Sequence, residues 1–191
     1  MNSPTKRFVT LAAAAAVVIL PLAGCGAKKE TKEATGANDY GDVCSGAAIS
    51  NAAAGEKPYK VITFRKAESA TKDRWSPVHV SSSTPGAVNY NDYSQANAVA
   101  CLTLKKGSEK KEKTCPIEMQ GKKLDLALYS AEYDVAVFEA KSGKKIQDLG
   151  TVTGTADRCP SIVYTDPKDP RDVAEPDRDS VAEVIGKFAA Q

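Results

Sequence analysis

The chain of 191 residues has few of the groups that build common catalytic and nucleic-acid-binding sites. Its one histidine, His79, excludes a zinc site made by two histidines. Aromatic residues make up only 6% of the chain and the net charge is +2, which disfavours both stacking platforms and basic surfaces for nucleic acid. The G-x-S-x-G, P-loop and G-x-G-x-x-G motifs are absent. We therefore expect no enzyme activity, no cofactor, no metal site and no nucleic-acid partner.

Residues 1–24 have the three parts of a secretory signal peptide. Lys6 and Arg7 form a basic start, residues 8–20 form an apolar run with Thr10 as its only polar member, and small residues precede Cys25. The 13-residue run is short for a membrane span, which needs about 20 residues. This pattern predicts export and removal of residues 1–24.

The four residues Leu22-Ala23-Gly24-Cys25 resemble the lipobox of bacterial lipoproteins. In that family the cysteine thiol is acylated with diacylglycerol and a peptidase cuts just before it. The resemblance implies that Cys25 is the lipidated first residue of the mature protein and attaches it to the extracytoplasmic face of the cell membrane. The alternative is an ordinary secretory signal with an incidental cysteine. Cleavage removes two basic residues and leaves 24 of each sign, so we expect the lipid, not charge, to hold the protein.

Residues 26–42 are polar and contain Tyr40 as their only large apolar side chain. Such a composition buries too little surface to offset the entropy of ordering. We therefore expect a flexible tether over 25–42 and one folded domain over 43–191.

Alternating apolar residues predict short strands within 43–191, and the C-terminus predicts a helix over about 177–189. Val181, Val184, Ile185 and Phe188 lie on one face of that helix. We expect a mostly β (α+β) fold, an antiparallel β-sandwich or curved sheet of about six to eight strands with a docked C-terminal helix. The strand candidates are 59–64, 78–80, 97–104, 113–119, 123–129, 133–140, 146–152 and 162–164.

Four cysteines remain besides Cys25, and an even number in an exported domain predicts two disulfides. Cys101 and Cys115 flank what reads as one hairpin, which would place them opposite each other. That leaves Cys44 to pair with Cys159. Free buried thiols or a zinc site are the alternatives, although no C-x-x-C spacing supports redox catalysis or a zinc ribbon.

Three stretches of the domain carry side chains that could bind a ligand. Residues 166–179 are acidic but lack EF-hand spacing, which favours a solvated turn. The lysine-rich stretch 105–123 is typical of a solvated hairpin tip, with an anionic partner as the alternative. A weak carbohydrate or peptide site is the third possibility, formed by aromatic residues near amide side chains. Its aromatic and imidazole members are Trp75, His79, Tyr90 and Tyr93.

A second resemblance lies in the segments around Cys101, Cys115 and Cys159 and in the run 133–145. These segments are similar to small exported lipoproteins of actinobacteria, a group without assigned biochemical activity. The resemblance supports the cysteine interpretation and implies no activity. We expect a non-catalytic binding or interaction module with a protein, cell-wall or lipid partner in the envelope. The alternative is a lipid or small-molecule carrier with a cavity between a curved sheet and the C-terminal helix.

Overall fold

The computed structural model of the chain describes residues 30–69, 72–119, 121–161, 163 and 165–191. The predicted signal peptide and Cys25 lie outside the described residues, as does most of the strand candidate at 162–164. The strands are β1 (Thr31–Lys32), β2 (Ala48–Ile49), β3 (Val61–Ser69), β4 (Lys72–Pro77), β5 (Ala98–Leu104), β6 (Lys110–Met119), β7 (Lys122–Glu139), β8 (Lys145–Gly154) and β9 (Arg171–Val173). Two 3₁₀ helices, Ala37–Ser45 and Tyr90–Gln95, and the α-helix α1 (Arg178–Ala189) complete the fold.

Strand β7 is the central strand of a seven-stranded sheet. It is 18 residues long, so two shorter strands can pair with it, one after the other, along each side. On one side β6 pairs with its first half and β5 with its second half, and β3 and β4 continue the sheet beyond β5. On the other side lie β9 and β8. The prediction of a mostly β fold with a C-terminal helix is confirmed. The sheet is mixed, since the β3–β5 and β7–β9 pairs are parallel.

One face of the sheet, the helix face, is covered by α1. Val181, Ile185 and Phe188 are buried there, as the spacing of apolar residues predicts. Phe188 stacks on Tyr59 with ring centroids 4.7 Å apart. The side chain of Asp177 caps the helix by accepting hydrogen bonds from the backbone N–H groups of Asp179 and Ser180 and from the Ser180 hydroxyl. These bonds lower the pKa of Asp177.

The opposite face, the open face, is covered in part by residues 34–52, so the prediction of a flexible tether as far as residue 42 is wrong. Tyr40 is 1% exposed and Val43 is fully buried against the sheet residues Phe64 and Val99. The side chain of Asn51 donates to the carbonyl of Ala34 and accepts from its N–H, each at 2.9 Å. The described part of the domain therefore begins by residue 30.

This N-terminal segment escaped the composition argument because a few contacts order it. One large ring, several alanines and side-chain hydrogen bonds replace a long apolar run. The carboxylate of Asp39 accepts from the N–H groups of Thr35 and Gly36, and these bonds lower the pKa of Asp39. The segment is also joined to the sheet covalently through Cys44.

All four cysteines of the domain form disulfides, but the predicted pairing is wrong. Cys44 is joined to Cys101 and Cys115 to Cys159. The reason is that β5 and β6 are not the two arms of a hairpin: both lie on the same side of β7, end to end. Cys101 is opposite Ala136 and Cys115 is opposite Leu126, which places the two cysteines ten residues apart along β7, or about 33 Å.

The other differences from the predicted elements are local. The two candidates at 123–129 and 133–140 are one strand, β7, since the pairing continues through the residues between them. Residues 78–80 follow β4 outside any strand.

Candidate binding cleft

The uncovered part of the open face contains a cleft of about 470 Å³. It lies beside the Cys44–Cys101 disulfide, where the N-terminal cover ends. Ala136 and Phe138 of β7 supply apolar floor and Trp75 of β4 supplies a wall. The remaining lining residues come mainly from β5, β7 and β8 and are Thr103, Asp134, Val135, Lys145, Asp148, Gly150 and Thr151.

The pairing registers place a row of side chains directly across five neighbouring strands. Trp75 on β4 is opposite Lys66 on β3. Arg65 pairs with Leu102, so the residues that follow them, Lys66 and Thr103, continue the row onto β5. Thr103 pairs with Asp134 on β7, and Asp134 pairs with Thr151 on β8. We call these five residues the polar row; its members are Trp75, Lys66, Thr103, Asp134 and Thr151.

Trp75 is fixed by a hydrogen bond and by close packing against the first 3₁₀ helix. Its indole Nε1 donates a hydrogen bond to the hydroxyl of Ser45 at 2.8 Å. A Cβ atom built on Gly41 would lie 3.0 Å from the Trp75 Cβ and 3.3 Å from Phe64, so a side chain there would force Trp75 or Phe64 to shift by a few tenths of an ångström. The indole is therefore positioned before any ligand arrives.

Two carboxylates and two ammonium groups lie in the cleft and the polar row taken together. Asp134, Asp148 and Lys145 line the cleft, and Lys66 lies in the row on β3. Lys145 and Asp148, three positions apart at the start of β8, form an ion pair at 2.5 Å. The cleft thus presents hydroxyl groups and both signs of charge around an apolar floor, an arrangement suited to binding a polar ligand.

The predicted aromatic site is only partly assembled. Trp75 lines the cleft. Tyr90 and Tyr93 lie on the second 3₁₀ helix and pack against the hydrophobic core of the open face, where Tyr93 contacts Tyr40 edge-on and donates to the carbonyl of Thr35. His79 is exposed in the segment after β4. Sequence reasoning therefore found one residue of the cleft and grouped it with three that do not line it.

No protein-family model, no curated protein and no solved structure matches the chain.

Two absences concern the described residues alone. In that part of the chain, no group of three or more histidine, cysteine, aspartate or glutamate side chains is arranged to hold a metal ion. The same residues include no helix long and apolar enough to cross a membrane.

The two charged stretches are tied into the surface of the fold. Lys105 pairs with Glu132 at 2.5 Å, and Arg171 forms an ion pair with Glu109 and lies 4.9 Å from the centre of the Tyr129 ring. The hydrogen bond that the Lys105 ammonium donates to the Glu132 carboxylate raises the pKa of Lys105. These exposed pairs fit the solvated-surface interpretation of both stretches.

The cleft residues that sequence reasoning missed include Thr103, Asp134 and Thr151. Each is an exposed polar residue next to at least one buried position, and Asp134 lies between two, Tyr133 and Val135. That alternation is visible in the sequence. Their placement side by side is not, because it depends on which strands are neighbours and in what register.

Proposed function

We propose that this protein is a membrane-anchored extracytoplasmic lipoprotein whose folded domain is a non-catalytic binding module of the cell envelope. The observation that carries the proposal is the use of its cysteines. All four cysteines of the domain are in disulfides, which persist in oxidising compartments outside the cytoplasm. The fifth cysteine of the chain is Cys25, which stands in the lipobox-like sequence behind the signal peptide.

The ordered N-terminal segment supports a position next to the membrane. The carbonyl of Glu30 already accepts a hydrogen bond from the N–H of Ala48 at 2.8 Å. Glu30 lies five positions after Cys25, and a chain of that length spans at most about 18 Å in any conformation. A lipid on Cys25 would therefore hold the domain close to the bilayer surface instead of at the end of a long tether.

The geometry of the cleft favours a binding module over a carrier. The interface between α1 and the sheet is closely packed, with Val181 and Ile185 fully buried and Phe188 1% exposed. The cleft lies on the opposite face and is lined by polar groups around a small apolar floor. A carrier of apolar molecules would need an enclosed apolar space at the helix, where these side chains fill the interior.

The anchoring half of the proposal is tested by replacing Cys25. In a bacterial host, Cys25→Ala should appear as a soluble extracytoplasmic protein or as an uncleaved precursor. The matched control is Ala23→Gly, which keeps a small residue before the cysteine and should remain in the membrane fraction. A processed Cys25→Ala protein that still needs detergent for extraction would overturn the proposal.

A further inference from the structure

We infer that the polar row and the cleft beside it form a binding groove for an uncharged oligosaccharide chain. This inference rests on the proposed function, since it names the ligand class of the binding module. The groove crosses the strands of the open face from Trp75 on β4 to Thr151 on β8.

The length of the row favours an extended ligand over a single small molecule. Neighbouring strands lie about 4.8 Å apart, so four steps from β4 to β8 give about 19 Å. Several pyranose rings in an extended chain fit along that distance. The covering segment ends at the Cys44–Cys101 disulfide, which leaves Thr103, Asp134 and Thr151 exposed, while Trp75 and Lys66 at the other end of the row are half-buried.

The chemistry of the row matches the two kinds of surface that a sugar ring presents. The indole of Trp75 offers a flat apolar face for the C–H side of a ring. The hydroxyls of Thr103 and Thr151 each donate and accept, and the carboxylate between them, Asp134, accepts strong hydrogen bonds from sugar hydroxyls. Hydroxyl, carboxylate and hydroxyl are in direct register on three adjacent strands.

The charge balance selects for a ligand without net charge. A polyanion such as a phosphate polymer would meet the carboxylates of Asp134 and Asp148, and a polycation would meet Lys66 and Lys145. Either polymer would place like charges together, which costs binding free energy. A neutral polyhydroxylated chain meets no such repulsion and finds donors and acceptors along the whole row.

The groove is rigid where the ligand would stack. The Ser45 hydroxyl bonds the indole at 2.8 Å, and the disulfide at Cys44 joins the same 3₁₀ helix to β5. Because the platform is already ordered, binding loses little side-chain entropy at Trp75.

The only tryptophan of the chain lies in the groove, so its fluorescence reports directly on the site. We would titrate the full mature protein with neutral hexasaccharides: β-1,4-linked N-acetylglucosamine, β-1,4- and α-1,4-linked glucose, and mannose. At least one should give a saturable change in Trp75 emission. Asp134→Asn should weaken that binding about tenfold, as expected for loss of one charge-assisted hydrogen bond.

The matched control is Asp125→Asn, an equally conservative change of an exposed aspartate on the same strand β7. It lies nine residues from Asp134, about 30 Å along the strand, and should bind as the wild type does. The inference is overturned if no hexasaccharide changes the emission, if the two variants bind equally, or if only inorganic polyphosphate or oligolysine binds. In each of those cases the membrane fractionation of Cys25→Ala still decides the proposed function separately.

Discussion

Opening the Cys44–Cys101 disulfide should destabilise the domain by about 4 kcal/mol. The bond joins residues 57 positions apart, and the chain-entropy model assigns about 4.2 kcal/mol to a loop of that size. The Cys115–Cys159 bond, with a separation of 44, should contribute about 4.0 kcal/mol on the same model. The pairing that the sequence predicts would make unequal contributions of about 3 and about 5 kcal/mol.

The assays are urea unfolding and thermal unfolding of the double variants Cys44→Ala/Cys101→Ala and Cys115→Ala/Cys159→Ala beside the wild type. For a domain of this size, 4 kcal/mol corresponds to a melting temperature lower by about 8–16 °C. Similar losses in both variants are expected because the loops are of similar length. A double variant as stable as the wild type would refute the reasoning from loop closure.

A thiol count tests the pairing independently of its energy. Both double variants above, purified as the lipidated protein, should show no reactive thiol, since each leaves one native bond intact and the proposed lipid occupies the sulfur of Cys25. Cys44→Ala/Cys159→Ala should show two, because the cysteines left behind, Cys101 and Cys115, lie about 33 Å apart along β7. Finding no reactive thiol in that last variant would contradict the structure.

Two further predictions concern the helix face and its rim. Phe188→Ala should lower the free energy of unfolding in urea by about 3–5 kcal/mol, because the ring is buried and stacked. The control Lys187→Ala, on the exposed side of the same turn, should change the stability little. Equal unfolding curves for Phe188→Ala and the wild type would mean that the helix is not docked. Burial, and then the nearby carboxylate of Glu175, raise the pKa of Asp172, so the folded state binds its proton more tightly than the unfolded chain. The domain therefore keeps its full stability below the unfolded pKa, where Asp172 is protonated in both states, and loses stability as the pH rises through the folded pKa. Asp172→Asn should raise the melting temperature at pH 7 but not at pH 3, and a gain of equal size at both values would contradict this assignment.

The elements that could be predicted are those whose pattern is local. The helix α1 follows from four apolar residues at helical spacing, and strands β5 and β8 follow from alternation with short turns. In each case the information lies within about ten residues. The same local reasoning split β7 in two, because Ser130 and Glu132 interrupt its apolar pattern without interrupting its pairing.

The features that could not be predicted depend on which strands are neighbours. Cys101 and Cys115 look like partners in the sequence, since a lysine-rich turn separates them, but that turn joins two strands that lie end to end on β7. The order of residues 30–42 depends on Tyr40 finding a site on the sheet, which its own segment does not reveal. The polar row likewise exists only in the assembled register.

The proposal that this domain is anchored by lipid is tested most directly by the intact mass of the protein extracted from membranes. We expect a chain that begins at Cys25, carries acyl groups on that residue, and lacks the four hydrogens lost in forming two disulfides. A chain that begins at Met1, or a Cys25 without any acyl group, would contradict it.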